Sequence, residues 1–154
     1  MIAHNRLAAA VWEADQHARV LTESLTDWRR QPAPDLPTLE KDRGKVRLVD
    51  QVLFRFIKLQ DDMGARLVPA TLDALQEPYE DRPMLDKLNR LEKLGLLEST
   101  EAWEKLRALR NHFAHEYPDE PALRAAYLNQ GFDAAASIET IMQRIGQRFG
   151  LGME

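Results

Sequence analysis

Apolar positions recur along this chain in alternating steps of three and four, the spacing of helices that each bury one face. The first stripe is Leu7, Val11, Ala14, Ala18, Leu21, Leu25 and Trp28. It should stop near Arg30, because Pro32, Pro34 and Pro37 cannot continue it. Residues 31–44 then read as a long proline-rich connection. A second helix is expected from about Lys45, burying Val49, Val52, Phe56, Leu59, Met63 and Leu67, with Leu53 and Ile57 widening the face. Pro69 leaves the carbonyl of Ala65 without its amide partner, which predicts a kink and a continuation to about Gln76. Met84 to Leu94 forms a third helix with Leu85, Leu88, Leu91 and Leu94 inward, Pro83 at its first turn and Gly95 just past its end. Ser99 or Thr100 caps a fourth, whose inward face is Trp103, Leu106, Leu109 and Phe113 and which Pro118 ends. Asp119 should cap the last helix, with Pro121 in its first turn. Leu123, Tyr127, Ala134, Ile138, Ile141, Ile145 and Phe149 carry that helix to Gly150. No repeat, low-complexity tract or hairpin signal interrupts the pattern. The expected fold is all-α, an up-and-down bundle of four to five helices.

Composition sharpens the picture in three places. At 154 residues, with 44% apolar and 30% charged side chains, the chain is a single globular domain with enough length for a core. The absence of cysteine excludes disulfides, thiolate metal sites and a cysteine nucleophile, and suits a reducing, cytoplasmic setting. Neither a signal-type apolar segment nor a membrane-spanning run is visible. A net charge of −4 argues against a general phosphate-neutralising binder of nucleic acid, though not against a local basic site.

The candidate chemistry lies at the end of the fourth helix, "LRALRNHFAHEYP". Arg110, Asn111, His112, His115 and Tyr117 fall within eight residues there, with two of the four histidines. Asn111 and His115 stand one turn apart on one face, whereas Arg110 and His115 are separated by about 140° on a regular helix. Two such groups converge if the helix loosens at its end, or if a second copy packs alongside about a two-fold axis. The residue types suit phosphodiester chemistry. An arginine fork stabilises a phosphate as its charge shifts, and a histidine moves a proton to or from oxygen. RNA supplies its own nucleophile, the 2′-hydroxyl, so these two functions suffice without a metal or cofactor.

The stretch resembles the signature of the HEPN superfamily, in which Arg and a polar residue precede His by a short spacer. Tyr117, two positions after His115, matches the narrower Arg-x4-His-x-Tyr form of the HepT-like toxins, and "FRFIKLQDDMG" in the second helix is similar to the segment that family carries there. The resemblance implies a HEPN-like domain over residues 1–154, acting as a homodimer with both motifs at the interface. It implies a metal-independent endoribonuclease with Arg110 and His115 catalytic and Asn111 and His112 supporting. Its partners would be an RNA substrate and a small nucleotidyltransferase antitoxin able to transfer AMP to Tyr117. The alternative is a non-catalytic HEPN partner or substrate-binding subunit of a nucleotidyltransferase.

Other features stay open at this level. His112 and His115 form His-x-x-His, which would hold zinc only with further ligands, such as His4 or His17. "KDRGKVR", Lys41 to Arg47, is either a backbone-binding patch or a solvated loop. Asp50, Asp61 and Asp62 are either orienting partners for Arg110 or surface carboxylates. Trp12, Trp28 and Trp103 lie on or beside apolar stripes and read as core or interface.

Overall fold

The computed structural model describes residues 2–115 and 119–150, and every regular element among them is helical. α1 runs Ile2–Arg30, α2 Leu36–Lys41 and α3 Arg43–Asp62. One π-helical turn, Met63–Leu67, joins α3 to α4, Val68–Ala74, without a break. α5 is Met84–Lys93, α6 Thr100–His115 and α7 Pro121–Arg148.

The core forms where the stripes meet. Leu7, Ala14, Leu21 and Leu25 of α1 close on Val52, Phe56, Leu59, Met63 and Leu67 of the central rod. Ala135, Ile138 and Ile145 of α7 and Trp103 and Leu106 of α6 complete one continuous cluster. α1 and the central rod run antiparallel, and three polar contacts mark their register: Arg6 with Asp73 at 3.5 Å, Glu13 with Arg66, and His17 with Asp62 at 3.0 Å. The two exposed ion pairs, Arg6–Asp73 and Glu13–Arg66, are each worth at most about 1 kcal/mol. The apolar seam therefore supplies the cohesion, and the charges select the alignment.

The expected kink at Pro69 takes a defined form. The amide of Val68 reaches back five residues to the carbonyl of Met63, a wide turn that adds a residue just before the proline. The rod thereby absorbs the lost bond and continues to Ala74. α5 ends on Gly95 at φ 76°, with Leu96 N–H donating to Leu91 and Gly95 N–H to Glu92, a Schellman turn.

Counting α3 through α4 as one rod gives six helices among the described residues, against the four to five expected. The addition is α2, inside the stretch read as an irregular proline-rich connection. Asp35 caps it by accepting from the Thr38 amide at 2.8 Å, and Pro37 sits in its first turn. The hydrogen bonds from Thr38 hold the Asp35 carboxyl below its ordinary pKa. Asp42 then caps α3 by the same bond to Lys45, so the basic run Lys41 to Arg47 is split by a cap and lies partly on a helix.

Four smaller expectations fail for identifiable reasons. Leu85 and Leu94 are exposed, because α5 turns only Leu88 and Leu91 inward and the following Leu96 and Leu97 complete that wall. Leu123 is exposed because the first turn of α7 projects past the core. Asp119 is not the cap of α7: Glu120 takes that position with no side-chain bond, and the Asp119 carbonyl instead accepts from Arg124 at 2.7 Å. Of the core-or-interface expectation for Trp12 the core half fails, because the side chain is 65% exposed on the far side of α1 from its stripe. Trp28, by contrast, stacks on Phe132 of α7 at 4.9 Å, and Trp103 is fully enclosed.

Of the two cap candidates on α6, Ser99 is the one that acts, its Oγ accepting from the Ala102 amide at 2.9 Å. Ser99→Ala should cost about 1 kcal/mol in urea denaturation, while Ser99→Asp, which keeps an acceptor, should cost a few tenths at most. Equal losses in the two variants would mean that the bond does not hold the start of the motif helix.

Candidate functional site

α6 presents its motif as a regular helix that stays α-helical through His115. Trp103 and Leu106 anchor its first half in the core, with Leu109 and Phe113 packed half-buried behind them. This phase fixes where the polar groups go. Arg110 is half-buried against the central rod, while Asn111 and His115 are exposed on the outer face. Because the helix does not loosen before His115, Arg110 and His115 keep the separation of a straight helix, about 140° in azimuth and roughly 7.5 Å in rise. A single chain does not bring the two onto one small group through the described residues. Tyr117 lies outside the described residues.

Arg110 is the best-held group of the set. Its Nε donates to Asp61 Oδ1 at 2.8 Å and its Nη2 to Oδ2 at 2.9 Å, a two-pronged pairing with the last turn of α3. Nη1 makes a longer contact of 3.4 Å with Asn111 Oδ1. Donating to the Asp61 carboxylate holds the Arg110 pKa above its ordinary value, outweighing the opposing effect of burial. The remaining guanidinium edge carries donors that Asp61 does not use. Asn111 thus touches the arginine and lies one turn before His115 on the same face.

His112 lies against α7, where its ring stacks on Tyr127 at 4.9 Å and 24°. It also marks one end of an open groove of about 590 Å³ between α6 and α7, floored by Leu106, Leu109, Ala134 and Ile141. His112 is half-buried and His115 exposed, and no group of three or more His, Asp or Glu side chains suited to a metal occurs among the described residues.

The three aspartates separate cleanly. Asp61 orients Arg110. Asp62 turns the other way, to His17 on α1, and Asp50 is exposed with neither role. His17 stands in a small network: its Nδ1 faces Arg55 Nη1 at 3.0 Å and its Nε2 faces Asp62 Oδ2 at 3.0 Å. A guanidinium has no acceptor, so Nδ1 must accept and the proton sits on Nε2. His17, considered from the sequence only as a spare metal ligand, is a structural link in the α1–α3 seam. Its seven-residue offset from Ser24, both buried or half-buried on α1, placed it near the seam, but nothing in the spacing named its partners.

No family model matches the chain, and neither a curated protein nor a solved structure matches it. The residues above therefore carry the functional argument by themselves.

In a double-mutant cycle, Asp61→Ala and Arg110→Ala should couple by about 1 kcal/mol, at the upper end for partly exposed pairs because the geometry is bidentate. Asp50→Ala should change stability by no more than about 0.5 kcal/mol. Thermal melts of the four variants check both, and independent Asp61 and Arg110 effects would remove the orienting role.

Proposed function

We propose that this chain is a metal-independent endoribonuclease of the HEPN, HepT-like type, the toxin of a pair whose antitoxin is a small nucleotidyltransferase. The observation that carries the proposal is Arg110 held by both oxygens of Asp61, with unused donors on its free edge and Asn111 beside it. Such a guanidinium is already oriented before an anionic phosphate arrives, and orientation before binding is what makes a cation effective in a transition state. His115, exposed on the adjoining face near the helix C-terminus, supplies the proton-transfer group.

The reaction is an attack of a ribose 2′-hydroxyl on the neighbouring phosphorus. The new P–O bond closes a 2′,3′-cyclic phosphate as the bond to the 5′-oxygen breaks. The proton leaving the 2′-oxygen and the proton gained by the 5′-oxygen balance, with His115 as the group that transfers one of them. Arg110 stabilises the charge that builds on the non-bridging oxygens. Since one straight helix holds Arg110 and His115 about 140° apart, a homodimer that sets two motifs face to face is the arrangement in which both act on one phosphate. Tyr117 is the hydroxyl that the antitoxin would adenylylate.

The same separation is also what favours the second reading, a non-catalytic partner that positions substrate for a nucleotidyltransferase. Induced expression distinguishes the two. The wild-type chain should arrest growth and cut RNA to cyclic-phosphate ends in the presence of chelator. Arg110→Ala and His115→Ala should each lower the cleavage rate by about 10²-fold or more. A harmless wild type that cuts no RNA, or mutants as toxic as wild type, would leave the binding-partner reading in its place.

A further inference from the structure

Between Arg110 and His115 sits Phe113, and its ring occupies a space that exists only because residue 131 is glycine. A Cβ on Gly131 would lie 2.9 Å from Phe113 Cζ, 3.2 Å from Cε2 and 3.2 Å from Leu53 Cδ2. The first distance is closer than carbon atoms pack, so any side chain at 131 must displace the ring. Gly131 is fully buried in the middle of a long helix, where glycine is otherwise unfavourable by roughly 1 kcal/mol relative to alanine. Close approach of Phe113 is the feature that offsets this. Phe56 of α3 bounds the same ring edge-on at 6.0 Å and 80°.

A second contact lies one turn back along α7. Tyr127, four residues before Gly131 and so on the same face, stacks on His112. α7 thus grips two consecutive residues of α6, in the last turn before His115. Arg110 is held by a different element, through Asp61 of α3. Arg110 is thus tied to α3 alone, whereas the His112–Phe113 pair also rests on α7.

We propose that Gly131 and Tyr127 are positioning residues for the His112–His115 turn: a notch for Phe113 and a stacking face for His112 that fix His115 relative to Arg110. The terminal turn of a helix frays readily, because its amides and carbonyls lack the partners of an interior turn. The grip from α7 suppresses that fraying. Substrate chemistry enters only through the reading of Arg110 and His115 as catalytic, on which the activity arm of the test rests.

Hydrogen exchange and imidazole NMR test the grip without any activity. Gly131→Ala should accelerate exchange of the amides of residues 112–115 by about tenfold or more, the scale of an overpacked contact. It should also move the His112 and His115 ring resonances while leaving the Arg110–Asp61 coupling intact. Phe113→Leu in the same chain removes Cζ and should restore most of the protection, a size-swap rescue that a general loss of stability would not give. Tyr127→Ala, on a half-buried residue where folding is expected to survive, should shift the His112 resonances, and Tyr127→Phe should retain them. In RNA cleavage, Gly131→Ala should lower kcat with little change in KM, and Phe113→Leu should recover it. Unchanged exchange and ring shifts in Gly131→Ala and Tyr127→Ala, or no rescue by Phe113→Leu, would overturn the inference. A wild-type chain without RNA cleavage would defeat the catalytic reading alone, since the exchange and NMR arms still decide the grip.

Discussion

Asp61 and Asp62 stand side by side at the last turn of α3, and they serve opposite seams. Asp62 faces α1, where it meets His17, and Asp61 faces α6, where it meets both donors of Arg110. Neighbouring residues on a helix point about 100° apart, so one turn can bind two flanking helices only if it lies in the angle between them. The central rod does so, and the rest of the bundle is arranged about it. Its apolar face, from Val52 through Phe56 and Leu59 to Leu67, supplies the cohesion, since burying such side chains stabilises by roughly 1.5–3 kcal/mol apiece. The two carboxylates contribute less energy and more geometry. They fix which turn of α1 and which turn of α6 meet the rod.

The π-helical turn that accommodates Pro69 follows these two aspartates at once. It begins at Met63 and shifts the phase of everything beyond it. Trp103 of α6 packs near this turn, its ring 3.6 Å from where a Cβ on Gly64 would lie, an ordinary contact. α6 is therefore set by a large apolar anchor at Trp103 and by a charged one at Arg110, seven residues on, both against the same rod. A salt bridge in this role does not need a large net energy. Removal of Asp61 would leave a half-buried guanidinium without its carboxylate, and that penalty falls on the orientation of Arg110 before it falls on the fold.

Much of this was legible in the sequence because helix phase follows from spacing. The stripe of α1 from Leu7 to Leu25 is buried as its 4–3 rhythm requires, and Ser99, Gly95 and the prolines mark helix ends through local chemistry alone. The errors arise where burial depends on a neighbour and not on phase. Leu85 and Leu94 are in phase with Leu88 and Leu91, but α5 is covered on too narrow a face to bury all four. α2 was missed although Asp35 and Pro37 announce a helix start, because the surrounding prolines suggested a loop more strongly. At the candidate site, the 140° between Arg110 and His115 followed from counting residues, and Asp61 was one of three carboxylates that spacing could not separate. The notch at Gly131 had no such signal. A lone glycine in a helical stretch names no partner, and only packing reveals that Phe113 fills the space.

The motif thus has two supports that share one contact. Arg110 moves with α3, and the turn leading to His115 moves with α7 through Phe113 and His112. Any change in the spacing of α3 and α7 alters the relation between the two groups even if neither is touched. Leu53 is the point where the supports meet, since its Cδ2 lies within 3.2 Å of the same missing Cβ and it belongs to the helix that carries Asp61. The ring of Phe113 is consequently wedged between the two helices that position the two ends of the motif. A dense contact of this kind transmits small displacements instead of absorbing them. This makes the α3–α7 spacing at Leu53 and Gly131 a structural determinant of how Arg110 and the His112–His115 turn stand relative to each other.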